Sequence, residues 1–411
     1  MPSPTYTVIP APGTLMPYFL ADFDKIDFTW EDTEQNRTVT FAITDDHGNT
    51  SSVSEKYFAV NNKITVQDVS ELLRPYFDLS DHPGLTGFAT LGLKCLAESR
   101  CVSVLTTLTG TSSHTFQLPH TVVYSNAPTG VGQNGNYPGN AQFLKNRFLS
   151  RCDLHTVTAN QPCAVSFFAN GAERLVVKLQ HYVDGDAVQT QVVSIDVTTN
   201  YNVNTYNFTL QQLATLANID VEDVIFADVQ LFLTSALGDS IRFMHEPRRR
   251  PQERTFAFIG AMGEPEFMVL TGQEGREADF EGVFLMEHND YRKADTTLRL
   301  LHNSYTGPLS EGERQLMWDM AASPWVYVIE DGQLREVTIT EVELTDSLPH
   351  REPIGYRVKW RYTSEREQRT FSRVQNIPNV EEATVLDDNS VEVMPEDSSD
   401  DSSYYEEDNE G

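Results

Sequence analysis

The sequence predicts a mainly β protein: several β-sandwich-like domains with a few short helices and a disordered acidic C-terminal tail. Three observations carry this expectation. Apolar and polar residues alternate along many short stretches, as they do on a half-buried strand. Clusters of Gly, Asn, Asp and Pro punctuate those stretches as turns do. Only a few stretches place apolar residues at helical spacing. The chain has 411 residues, 39% of them hydrophobic and 10% aromatic, which is enough for folded cores in roughly two to four domains.

Residues 1–125 read as a first β-rich domain. In "KIDFTWE", Ile26, Phe28 and Trp30 share one face; in "RTVTFAITDDHGNT", Val39, Phe41 and Ile43 do the same before a turn cluster. "ITVQDVSELLRPYF" adds a short helix, with Val69, Leu72 and Leu73 on one side and Pro75 near its end. "CVSVLTTLTG" and "HTVVYS" supply further strands. Residues 126–142 are rich in Gly, Asn and Pro and read as a loop or linker.

A second β-sandwich-like domain is expected over 143–246. Its strands are "CAVSFFAN", "RLVVKLQHYVDGDAVQTQVVSIDV" and "IFADVQLFLTS", with a hairpin turn at Val183–Asp186 and a short helix over 210–219. A Pro/Arg linker spans 247–253. The third β-rich domain, 254–375, opens on "TFAFIG" and "EFMVLTG", holds one helix, and ends in "GYRVKWRYTSE". The remainder, 376–411, is polar and acidic and finishes in "MPEDSSDDSSYYEEDNEG". Self-repulsion with little to bury makes disorder its expected state.

The bulk charge narrows the function classes. Acidic residues outnumber basic ones 60 to 30, for a formal net charge of -30. That disfavours nucleic acid, which attracts clustered Lys and Arg. No run approaches the roughly 18 apolar residues of a membrane span. The start lacks a basic stretch followed by an apolar one, so no export signal is expected.

Motifs for chemistry are sparse. "GVGQNG" matches the dinucleotide string, but Pro128 precedes it and no helix follows, so it reads as linker. There is no G-x-S-x-G, H-E-x-x-H or P-loop pattern. Cys95, Cys101, Cys152 and Cys163 form no C-x-x-C and have no histidine at zinc-ligand spacing, so buried thiols are expected. "TDDHGN" at 44–49 offers Asp45, Asp46 and Asn49 to a calcium ion but lacks the alternating ligand pattern, and reads as a hairpin turn. No catalytic residue, metal or cofactor is expected.

The stretch "SEGERQLMWDMAASPWVYVIEDGQLREVTI" from Ser310 to Ile339 is the most legible passage. Ser310 and Glu313 form a capping-box pattern. Leu316, Met317 and Met320 make one apolar stripe, Trp318 falls off it, and Pro324 ends the helix. Trp325, Tyr327 and Ile329 then alternate with Val326 and Val328, so both faces of the strand are apolar and both should be covered. Asp331-Gly332 turns the hairpin. Trp318 and Trp360, the latter on the alternating strand with Val358 and Tyr362, are candidate interface residues. So are Arg248, Arg249 and Arg250, which flanking prolines hold in an extended segment able to meet an acidic neighbour.

The helix running into "SPWVYVIEDGQLREVTITEVEL" resembles the last β-rich domain of tail-tip and baseplate-type virion proteins of tailed bacteriophages and prophages. The order of segments over residues 20–375, including "VQDVSELLRPYF" and then "RTFAFIGAMGEPEFMVLTG", is most similar to virion proteins of phages infecting gut Bacteroidetes. The helix and hairpin are also similar in outline to domains of distal-tail ring proteins. The "HEPRRRP" linker and the acidic tail fall outside the resemblance, and its motifs are patterns rather than fixed polar residues. The resemblance implies a non-enzymatic structural role in a virion assembled in the bacterial cytoplasm. Its partners would be other virion proteins or copies of itself, with a host surface as a further candidate. The alternative is a receptor- or glycan-binding β-sandwich protein that uses exposed aromatics.

Overall fold

A computed structural model of the chain describes residues 7–9, 18–23, 25–29, 36–45, 47–95, 102–109, 115–126, 148–168, 172–183, 187–198, 203–233, 236–247, 253–272, 274–287, 290–307, 309–344, 355–364 and 368–370. The first segment supplies strands β1 (Thr7–Ile9), β2 (Tyr18–Phe19), β3 (Ile26–Thr29), β4 (Asn36–Thr44), β5 (Thr50–Phe58), β6 (Lys63–Val66), β7 (Gly92–Cys95), β8 (Val102–Thr109) and β9 (Thr115–Val123). The second supplies β10 (Leu154–Val157), β11 (Cys163–Phe168), β12 (Ala172–Val183), β13 (Ala187–Thr198), β14 (Val203–Phe208), β15 (Val224–Leu233) and β16 (Ala236–His245). The third supplies β17 (Arg254–Ile259), β18 (Pro265–Leu270), β19 (Glu274–Glu287), β20 (Asp290–Tyr305), β21 (Val326–Glu330), β22 (Gln333–Leu344), β23 (Tyr356–Tyr362) and β24 (Gln368–Thr370). Helices are short, at Val69–Leu73, Pro83–Thr86, Leu210–Ala217 and Glu311–Ala322. The protein is mainly β, as its alternating sequence predicts. Trp30, the Gly/Asn/Pro-rich stretch with its "GVGQNG", and the acidic tail lie outside the described residues.

Two compact units result. One comprises Met1–Arg276 with His302–Ser364, and the other Glu277–Leu301 with Glu365–Gly411. In the second, Thr296–Leu298 of β20 pair with β24. The first holds the sheets described next.

A five-stranded sheet runs β2-β9-β8-β4-β5, and a three-stranded one runs β1-β3-β6. Alternation sends Val39, Phe41 and Ile43 of β4 inward to meet Ile26, Phe28 and Ile64 in one core. Burying each such side chain contributes about 1.5–3 kcal/mol. A second five-stranded sheet runs β10-β16-β15-β12-β13. Its Leu175, Val177 and Leu179 share a core with Val165, Phe167 and Phe208 of the β11-β14-β7 sheet and with Leu210 and Leu213 of the Leu210–Ala217 helix. Thr209 and Gln212 cap that helix reciprocally, at 3.2 and 2.9 Å.

The third segment's sheet orders β18-β17-β21-β22-β23, followed by the His302–Tyr305 end of β20. It is covered on both faces. Phe256 and Phe258 of β17, Val326 and Val328 of β21 and Trp360 of β23 join Leu316, Met317 and Met320 of the Glu311–Ala322 helix in one core. Ala257, Ile259 and Tyr327 enter the core of the first segment on the other side, with Trp325 and Ile329 packed against it. The two-sided character read from "WVYVI" therefore has a concrete cause: β21 separates two cores.

The segment boundaries read from composition do not coincide with boundaries in the packing. β7 of the first segment pairs with β14 of the second, Asn204 opposite Cys95 and Asn207 opposite Gly92. The third segment shares a core with the first. Loop-rich composition marks where the chain turns, whereas strand pairing is decided between segments far apart in sequence.

Candidate interface

The Glu311–Ala322 helix begins as expected. Ser310 Oγ accepts from the Glu313 amide at 3.3 Å, and Glu313 Oε2 accepts from the Ser310 amide at 2.9 Å. The other carboxylate oxygen of Glu313 accepts from the Thr156 amide at 3.0 Å. One side chain thus caps a helix and satisfies a donor on β10, the last strand of its sheet. Trp318 faces away from the stripe, 48% exposed, with its ring edge-on to Tyr356 at 5.6 Å.

Trp360 corrects the sequence reading. Expected at an interface, it is completely buried and among the largest fully buried side chains. Its indole N–H donates to Ser304 Oγ at 3.0 Å, His302 stacks on it at 4.4 Å, and Phe256 meets it edge-on at 5.6 Å. A polar handle satisfied inside a core is packing, not docking. Arg248, Arg249 and Arg250 lie outside the described residues.

The surface that the sequence reading missed is the outer side of the β12-β13 hairpin. β13 ends its sheet and pairs only with β12 among the described strands. Val193, Ile195 and Val197 turn toward the core, while Val188, Thr190, Val192, Ser194 and Asp196 turn outward. Val188 is 52% and Val192 50% exposed, and Tyr182, opposite Val188, is 45% exposed. Asp196 is held by Arg174 at 2.9 Å. From Ala187 to Ile195 the strand carries no charge. Natural edges are usually blunted by charge, proline or cover. β5 carries Glu55 and Lys56, and the helix covers β10. The signal in the sequence was the uncharged run "AVQTQVVSI" in a chain this acidic.

A buried acidic cluster lies where the second and third segments meet. Glu264 and Glu266 are 2% and 3% exposed on the β17-β18 hairpin. Glu266 accepts from Ser150 Oγ at 2.5 Å, and Glu264 Oε2 has no hydrogen-bond partner among the described residues. Burial pushes Glu266 up to about 8 and Glu264 well above the carboxylate range, the neighbouring carboxylate adding to the effect. Burial also raises Asp319, against the pull of Arg151 at 3.1 Å. Close by, His155 stacks on Phe243 at 5.0 Å, and burial lowers it to about 4. With Gln161, Cys163 and Glu266 it lines a crevice with room for about one water. Burial likewise raises the Cys152 and Cys163 thiols, so both behave as inert packing.

No group of His, Cys, Asp and Glu that could hold a metal occurs among the described residues. The "TDDHGN" stretch is a turn: Asp45 Oδ1 accepts from the His47 and Asn49 amides at 3.0 and 2.7 Å. No helix among the described residues is long and apolar enough to cross a membrane.

Fold and surface together define a mainly β protein of several packed sheets with an open, uncharged sheet edge. No protein family matches the chain, and no curated protein does. Among solved structures, the crystal structure of squid arrestin aligns with 56% of this chain and 90% of its own, at 10% identity and a TM-score of 0.17. That likeness is too slight to carry an argument about fold or function.

Proposed function

We propose that this chain is a non-enzymatic building block that acts by associating with other subunits, in the tail or baseplate of a phage or prophage particle. The observation that carries the association reading is the open β13 edge with Val188, Val192 and Tyr182 exposed beside it. The resemblance in segment order supports the phage assignment. The test is co-expression with the products of the adjacent reading frames. The protein should enter a larger complex on size-exclusion chromatography with light scattering, and the adjacent frames should encode tail or capsid proteins. A chain that stays monomeric with every neighbour and binds a glycan array would overturn the reading.

One observation favours a receptor- or glycan-binding role instead: Trp318 presents an exposed ring backed by Tyr356. Under that reading, Trp318→Ala would abolish glycan binding without changing subunit mass.

A further inference from the structure

The first unit treats its sheet edges unequally. The β10 edge is covered by the Glu311–Ala322 helix, whose Glu313 accepts from the Thr156 amide. The β18 edge packs against β11. β5 carries Glu55 and Lys56. β13 has twelve residues, its first nine uncharged; the Leu210–Ala217 helix packs near it, but in its outward row Val188 and Val192 stay half-exposed. An edge of this kind is a template for another strand.

We infer that β13 pairs antiparallel with β13 of a second copy of this chain, with Thr190 on the two-fold axis and Val188 opposite the partner's Val192. The inference rests on the association reading above and names its partner and register. Three arguments lead to a second copy. The chain carries a net charge of -30, thirteen of those charges in residues 376–411; residues 1–375 are still acidic, so two copies approach best along a stretch without charge. A partner chosen for opposite charge would be drawn to the acidic surface rather than to "AVQTQVVSI". A two-fold contact also requires a self-complementary patch, and Val188 and Val192 stand two residues either side of Thr190.

The register follows from the pleat. An axis through any residue keeps the outward rows on one face, because moving it by one residue shifts the register by two and only a one-residue slip reverses the side chains. An axis at Gln191 would set Val188 against Ser194 and Val192 against Thr190. An axis at Val192 would set Val188 against Asp196. An axis at Thr190 sets valine against valine, pairs Ala187 with Val193, and leaves Asp196 with Arg174 beyond the partner's strand. Tyr182, already opposite Val188, then extends the apolar cluster from each side. The two five-stranded sheets join into one continuous sheet.

The test uses the full-length chain. Light scattering over a wide concentration range should show a reversible dimer of twice the monomer mass. Thr190→Cys should form a disulfide-linked dimer under mild oxidation, whereas Ser194→Cys and the oxidised wild type should not. Val188→Lys combined with Val192→Lys should give a monomer with an unchanged circular dichroism spectrum. A wild type that is monomeric throughout overturns the inference. A wild type that associates while Thr190→Cys fails to cross-link and the double lysine variant still dimerises also overturns it, yet leaves the association reading standing through another surface.

Discussion

Gly263 lies against the carbonyl of Tyr124: a β carbon at position 263 would come within 2.4 Å of that oxygen, and the residue has φ of +84°. Beside it the Asn126 amide donates to the Ala261 carbonyl at 2.7 Å. The tight turn between β17 and β18 is thereby docked on the end of the first segment. Glycine is required twice over, for its backbone conformation and for its missing side chain.

Gly263→Ala should therefore cost about 2–4 kcal/mol, combining left-handed backbone strain with overpacking. Urea unfolding measures it. A loss below about 0.5 kcal/mol would mean the turn lifts freely from Tyr124.

The two tryptophans should separate cleanly. Trp360→Ala removes a ring packed by His302 and Phe256 and strands the Ser304 hydroxyl, at about 3–5 kcal/mol. Trp318→Ala removes a half-exposed ring and should cost less than about 1.5 kcal/mol. Equal losses in thermal unfolding would contradict this placement.

Glu266 makes stability fall as pH rises. Its folded pKa of about 8 exceeds the ordinary 4.5, so between those values the folded state binds more protons than the unfolded one, and stability declines with pH. His155, lowered to about 4 from 6.5, has the opposite slope between about 4 and 6.5. The decline should therefore show most clearly from about pH 6.5 to 8. Glu266→Gln should make the decline shallower, the remainder coming from the neighbouring buried Glu264, and should stabilise the protein at pH 8, on the order of 1–4 kcal/mol. Denaturant midpoints at pH 6.5 and 8 for both proteins decide the matter, and parallel slopes would refute it.

Glu313 bonds to both the Ser310 and the Thr156 amides. Ser310→Ala should cost about 1 kcal/mol through the cap alone. Glu313→Ala should in addition speed hydrogen exchange at the Thr156 amide. Unchanged exchange there would show that the second bond does not protect β10.

Much of the local structure was legible because it is specified within a few residues. The Ser310–Glu313 cap, the stop near Pro324 and the Asp331-Gly332 turn, at φ of 50° and 73°, follow from short-range chemistry. So does the alternation of Val39, Phe41 and Ile43. The two-sided apolar pattern of Val326–Ile329 stated that the strand would be covered twice, though not by what. Trp360 misled because alternation with Arg357, Lys359 and Arg361 reads equally as core or as surface until the other face of the sheet is known.

The mainly β class, the helix with its cap, the turns and the alternation along strands such as β4 are written in the local sequence. Long-range packing settled that β7 crosses into another segment's sheet, that β21 divides two cores, that Glu264 and Glu266 are buried together, and that β13 ends its sheet with Val188 and Val192 exposed. The physical reason is range. Caps and turns are closed by residues a few positions apart, whereas strand partners, edges and buried charges depend on which distant segments meet, and that is settled by burial across the whole unit.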